Sequence, residues 1–174
     1  PDRKVVVIPG GVDSTRFVPC NDKGVVRARL GLPDDRIIVL TVRRLAARYG
    51  LVNLLKAVQI VAACNRKVLL LIGGEGYLKH VLQAKISEWG LQPYVHLLGF
   101  IAEDVLPYYY QASDLFIMPS ENLEGFGLAT LEALASGVPV LGTPVGGTVE
   151  ILGGLSKSLL FENSSSEAMA ARML

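Results

Sequence analysis

Two glutamates eight positions apart, Glu124 and Glu132, carry the clearest chemistry in the chain. Glu124 stands beside Gly125 and Gly127, and Glu132 lies inside an apolar segment with helical spacing, Leu128–Ala135. Carboxylates bind vicinal hydroxyls by accepting paired hydrogen bonds. Free N–H groups at the mouth of a helix attract anions. The combination suits a ligand that is both polyhydroxylated and phosphorylated. Each feature taken singly has a plainer explanation. Glycines are common where a loop enters a helix, and a lone helix glutamate is usually solvated.

Three arginines, Arg43, Arg44 and Arg48, follow an apolar run in TVRRLAARYGL. They could clamp a diphosphate through bidentate hydrogen bonds, or form a solvated basic loop. GGEGYLKH, residues 73–80, resembles a dinucleotide fingerprint only loosely. Lys79 occupies the place of the third glycine, and the segment that should supply a ribose-binding acid reads VHLLGF. The sequence has no Walker A pattern, no G-x-S-x-G, no H-E-x-x-H and no D-x-D triplet. His80 and His96 read as surface and strand residues, and no Cys/His cluster has metal-ligand spacing. Neither a metal nor a resident cofactor is expected, so diphosphate charge falls to arginines and a helix dipole.

The elements that must position these residues alternate. Apolar runs predict strands at Val5–Ile8, Ile37–Val42, Val68–Ile72, Val95–Leu98, Leu115–Met118 and Val138–Leu141. They show little period-two alternation, as strands of a parallel sheet buried on both faces do. Helical patterns fall between them at Leu51–Ala63, Tyr77–Glu88, Val105–Gln111 and Leu128–Ala135, with a last helix at Glu167–Leu174. The alternation predicts an α/β, Rossmann-like, doubly wound parallel sheet, whose ligands bind where strand ends enter loops. The relevant loops are then Arg43–Gly50, Gly73–Tyr77, Gly99–Asp104, Pro119–Gly127 and Thr143–Thr148.

At 174 residues and 51% hydrophobic content the chain reads as one domain with a sizeable core. A net charge of +1 gives no bulk attraction to nucleic acid or acidic membranes. Cys20 and Cys64 read as reduced, which fits a cytoplasmic protein. No apolar run approaches the ~20 residues of a membrane span, and no signal segment is seen. The opening PDRKVVVIPGGVD reads like the middle of a longer protein.

The motifs occur in a telling order: IPGGVD with RF-x-P, then RRL…G, GGEGYL, V-x-LLGFI, SDLFIMPS and EGFGLATLEALASGVPV. From Ile8 to about Phe161 the chain resembles the C-terminal, donor-binding half of a retaining glycosyltransferase of the GT-B fold, in group 1, also called family 4. The resemblance implies a single donor-binding domain over residues 1–174, truncated at both ends relative to the full enzyme. It implies a hexosyltransferase of carbohydrate biosynthesis that transfers a sugar from a nucleoside diphosphate sugar to an acceptor hydroxyl. Glu124 matches the first glutamate of the family's E-x7-E segment, at the reacting end of the donor sugar. Glu132 matches the second, which binds ribose. Gly125, Phe126, Gly127 and Leu128 would meet sugar and diphosphate, Arg44 matches the diphosphate arginine of G-R-L, and Gly99, Phe100 and Ile101 match the loop beside the base.

Two departures stand out. The family's lysine before the glycine that Gly50 matches is Tyr49 here, and Arg48 is the candidate substitute on the diphosphate. Gly10 replaces a common asparagine, a change expected to affect only a turn. The implied partners are the nucleoside diphosphate sugar and an N-terminal acceptor-binding domain of the same protein, without which the fragment should be inactive. Nucleic acid is not expected, and any contact with the cytoplasmic face of a membrane is assigned to the other domain. Two other classes fit less well: a related GT-B enzyme such as a nucleotide-sugar epimerase, and a non-catalytic nucleotide-binding α/β module.

Overall fold

A computed structural model describes residue 6 and residues 8–174. Among them five parallel strands form one sheet: β1 (Ile37–Val42), β2 (Val68–Gly73), β3 (Val95–Gly99), β4 (Leu115–Met118) and β5 (Val140–Gly142). Their order is β3-β2-β1-β4-β5. The chain runs outward from β1 to β3, then returns to lay β4 along the other side of β1. The strand order therefore reverses between β1 and β4, and a crevice opens there at the carboxyl ends.

Among the described residues seven α-helices accompany the strands: α1 (Lys23–Leu30), α2 (Leu51–Cys64), α3 (Lys79–Glu88), α4 (Leu106–Ala112), α5 (Leu128–Ala135), α6 (Gly147–Leu155) and α7 (Ser166–Met173). Two apolar layers sandwich the sheet, as a parallel sheet requires. One packs Leu54, Leu55, Val58 and Val61 of α2 with Met169 of α7 against Leu70 and Ile72. The other packs Leu106 and Tyr110 of α4, Ala133 of α5 and Leu152 of α6 against Leu40, Leu71 and Phe116.

The strand expectations hold from Ile37 onward, with β5 beginning two residues later than Val138. The expected strand Val5–Ile8 lies partly outside the described residues; Val6 and Ile8 are not in a strand and are exposed. Helices α1 and α6 were not expected. Asp22 caps α1 by accepting from the N–H groups of Gly24 and Val25. The buried side chain of α1 is a charged one, Arg27. Its guanidinium donates to the carbonyls of Ala112 and Asp34 and to Asp114 Oδ2 at 2.6 Å. Helix α6 contains Gly147, Gly153 and Gly154, a composition that reads as loop until its neighbours are known. Helix α3 begins at Lys79 rather than Tyr77; Tyr77 is exposed, and its hydroxyl accepts from the Ala47 N–H.

Candidate functional site

The first residue after β1 is Arg43, and its side chain turns into the crevice at only 5% exposure. Its Nη2 donates to Glu124 Oε2 at 2.7 Å. The guanidinium lies 4.2 Å from the centre of the Tyr49 ring, a cation–π contact, and Nη1 points at Met118 Sδ. The Nε–H is buried with no hydrogen-bond partner. Burial lowers the pKa of this guanidinium, and the Glu124 carboxylate opposes that shift. Ser120 Oγ donates to the same Glu124 oxygen, and the Ser120 carbonyl in turn accepts from Thr143 Oγ1 at 2.6 Å. Among the described residues Glu124 is thus held through Oε2 alone, and none of them bonds Oε1.

The backbone of the Glu124 loop is fixed at both ends. The Glu121 and Asn122 N–H groups donate to the Arg48 carbonyl. The Gly147 N–H donates to the Gly125 carbonyl at 2.9 Å. A Cβ at Gly146 would lie 2.0 Å from the Glu124 carbonyl oxygen, so the α6 turn approaches this loop as only glycine permits. Leu123, at φ 52°, is the one non-glycine with positive φ among the described residues. It directly precedes Glu124, and such strain is characteristic of sites where geometry is imposed. Gly127 then opens α5 in a left-handed conformation with no side-chain cap; the Thr130 N–H donates back to the Gly127 carbonyl, so the Leu128 and Ala129 amides are the ones left to face a ligand. The Gly10 departure reaches beyond a turn. A Cβ there would stand 2.9 Å from the Phe126 ring, so the glycine sets how closely Phe126 packs.

Beside this loop lies a cleft of about 560 Å³. Arg43, Arg44, Gly74, Glu75, Gly76, Phe100, Ile101, Glu103 and Leu106 line it. Arg44 is exposed, as is Phe100 at 75%. Gly74 and Gly76 are needed for chain packing. Their absent Cβ atoms would meet the Arg43 and Leu45 carbonyl oxygens at 1.9 and 2.2 Å. That accounts for the glycines of GGEG without a dinucleotide. Gly99, at φ 72°, closes the β3 end, where its carbonyl accepts from the Gly74 N–H.

The structure therefore gathers Arg44, Phe100 and Ile101 at one cleft and joins Glu124 to it through Arg43. Arg48 does not line the cleft: its exposed guanidinium donates to the Tyr49 hydroxyl at 2.6 Å, while its carbonyl holds the Glu124 loop. Glu132, half-buried one turn into α5, accepts at Oε2 from the Tyr110 hydroxyl at 2.7 Å. Tyr110 follows the cleft residue Leu106 by one turn of α4. Sequence reasoning named Arg43 only as one of three loop arginines, and missed Ser120 and Tyr110 altogether. The alternation of side-chain direction at a strand end was the available signal for Arg43 over Arg44. Nothing in the run Tyr108–Tyr109–Tyr110 marked its third member. Among the described residues no group of three or more His, Cys, Asp or Glu is placed to hold a metal ion.

A family profile described as glycosyl transferases group 1 matches residues 22–174. The chain belongs to the group 1 glycosyltransferases. An uncharacterized glycosyltransferase of Methanocaldococcus jannaschii is 34% identical over 156 residues, covering 87% of this chain and 39% of that protein. The C-terminal domain of a group 1 glycosyl transferase from Francisella tularensis superimposes with a TM-score of 0.77 at 25% identity, over 94% of this chain and 86% of the other. An Anabaena protein of this fold, crystallised with UDP and glucose, superimposes with a TM-score of 0.80 at 26% identity, over 92% of this chain and 44% of the other. The group 1 chain described here spans about two fifths of the length of its curated relative. Its sheet and flanking helices are those of the GT-B glycosyltransferases. No helix among the described residues is long and apolar enough to cross a membrane.

Proposed function

We propose that this chain is the donor-binding domain of a retaining glycosyltransferase, taking a nucleoside diphosphate sugar and delivering its sugar to an acceptor hydroxyl. The observation that carries the reading is Glu124. It is gripped on one oxygen by Arg43 and Ser120, open on the other, and set between the cleft and the uncapped start of α5. The Anabaena protein of like fold holds UDP and glucose, which supports a nucleotide-sugar ligand.

In this reading the base lies along Gly99, Phe100 and Ile101, and Glu132 accepts from the ribose hydroxyls. Arg44, Arg48 and the N–H groups from Gly125 to Leu128 face the diphosphate and sugar. As the glycosidic bond breaks, the diphosphate gains negative charge and the sugar becomes oxocarbenium-like. Arg44 and the α5 dipole favour the first, and Glu124 favours the second. No metal is assigned a role. The acceptor belongs to an N-terminal domain, and the cleft between the two domains is the reaction chamber.

The test has two parts. Calorimetric titration with UDP, GDP, ADP and NAD should give binding to one nucleoside diphosphate and not to NAD; tight NAD binding alone would overturn the reading. In the full-length enzyme, Glu124→Ala should keep nucleotide affinity and lose transfer. Unchanged turnover would remove Glu124 from the chemistry.

A further inference from the structure

Tyr110 carries a polar atom that neither the core nor the proposed chemistry uses. Its residue is fully buried, yet its hydroxyl reaches Glu132 Oε2 at 2.7 Å. The ring is fixed on two sides. Phe17 meets it edge-on, with centroids 5.7 Å apart and planes at 76°, and Phe116 packs at 5.4 Å. The segment that supplies Phe17 is itself anchored. Asp13 accepts from the Thr15 N–H at 2.9 Å, and Arg16 pairs with Glu103 at the cleft rim. Burial, together with the neighbouring Glu132, raises the phenol's pKa far above its ordinary value, so the hydroxyl remains a donor. A carboxylate has about four acceptor sites. Tyr110 occupies one on Oε2, and Oε1 has no partner among the described residues.

We propose that Tyr110 is a positioning residue: it holds Glu132 by one oxygen so that the other is aimed at the two ribose hydroxyls of the nucleotide. This rests on the reading of Glu132 as the ribose-binding group. The alternative is a tie between α4 and α5 that steadies the fold and ignores the ligand. The two differ in what they do to ribose discrimination. A structural tie affects every ligand alike, whereas an aimed carboxylate affects only ligands that carry the hydroxyls.

The experiment is calorimetry on the full-length protein, using the nucleoside diphosphate it binds and the 2′,3′-dideoxy form of the same compound. The wild type should prefer the ribo form by at least about tenfold, the worth of one good hydrogen bond to a charged acceptor. Tyr110→Phe keeps the ring and removes the oxygen. It should weaken the ribo form about tenfold and leave the dideoxy form unchanged, so the preference narrows. Phe17→Leu loosens the same packing but spares the hydroxyl, and should lower the melting temperature without narrowing the preference. Glu132→Asp draws the carboxylate back from Tyr110 and provides a second variant should Tyr110→Phe not fold; it too should narrow the preference. Full discrimination in Tyr110→Phe or Glu132→Asp, or equal weakening of both ligands in Tyr110→Phe, overturns the proposal. A wild type that binds a nucleoside diphosphate without discriminating removes the ribose role of Glu132 and this inference with it. A wild type that binds no nucleoside diphosphate refutes the donor-domain reading itself.

Discussion

Replacing Arg43 by methionine removes a charge from the least exposed ion pair in the site while keeping most of the side-chain volume. Arg43 is 5% exposed and Glu124 11%, and their closest atoms stand 2.7 Å apart. Removing one partner of a buried pair costs about 3–5 kcal/mol, because the other charge stays desolvated. Glu124 keeps its Ser120 bond and an open Oε1, which sets the expectation near the lower limit, about 3 kcal/mol. For a domain of this size each kcal/mol moves the melting temperature by about 2–4 °C, so Arg43→Met should melt roughly 6–12 °C lower. Glu124→Gln strands the guanidinium, whose Nε–H already lacks a partner, and should cost a similar amount. The double variant has no stranded charge. It should lose about 2 kcal/mol less than the sum of the single losses, the coupling of a desolvated pair. Thermal or urea melts of the four proteins measure this directly. Strict additivity would refute the pair. On these numbers the double variant loses about 4 kcal/mol where additivity would give about 6, and on the proposed reading it is inactive in transfer because it lacks the Glu124 carboxylate.

Other consequences can be checked as simply. Burial alone would raise the Asp114 pKa, but Lys23, the Ile38 N–H and Arg27 outweigh it and hold the carboxyl below its usual value. A depressed carboxylate stabilises the fold above its unfolded pKa near 3.9, and that contribution disappears as pH falls through the folded value. Asp114→Asn should therefore lower stability at neutral pH and flatten its decline below about pH 4 in urea titrations. Gly146→Ala places a Cβ 2.0 Å from the Glu124 carbonyl at φ 52°, so it should displace the Glu124 loop and reduce both melting temperature and nucleotide affinity. Gly154→Ala, in α6 with nothing within 4 Å, should instead stabilise by about 0.5–1 kcal/mol and leave affinity unchanged.

The strands were legible because a parallel sheet buries both faces of each strand. Leu69 to Ile72 are all at 1% exposure or less and form an unbroken apolar run that needs no partner to be recognised. Helix α2 was legible for a similar reason, with Leu51, Leu54, Leu55, Val58, Val61 and Ala62 on one buried face. Helices α1 and α6 were not. The first rests on Arg27 and an Asp22 cap instead of an apolar stripe, and the second on glycines whose value lies in close approach to another loop. In both, tertiary contacts override local propensity.

The site divides along the same line. Glu124 and Glu132 sit in one stretch of sequence with their glycines, so their segment could be read locally. Their partners could not. Arg43 is 81 residues from Glu124, and the two meet only because the strand order places β4 beside β1. Once that order is known, the consequences are narrow. Residues directly after β1 and β4 must share one crevice, and adjacent residues at the end of β1 must point in different directions. Arg43 goes inward to neutralise Glu124, and Arg44 stays at the exposed rim of the cleft. On the proposed reading, with Arg43 engaged by Glu124, Arg44 and Arg48 are the loop arginines among the described residues left for a diphosphate, beside the start of α5, which has no side-chain cap. Tyr49 adds no charge where the family's lysine would stand, yet its ring lies against both Arg43 and Arg48. The positive charge is thus redistributed around that ring, part of it fixed in the interior beside Glu124 and part held at the surface.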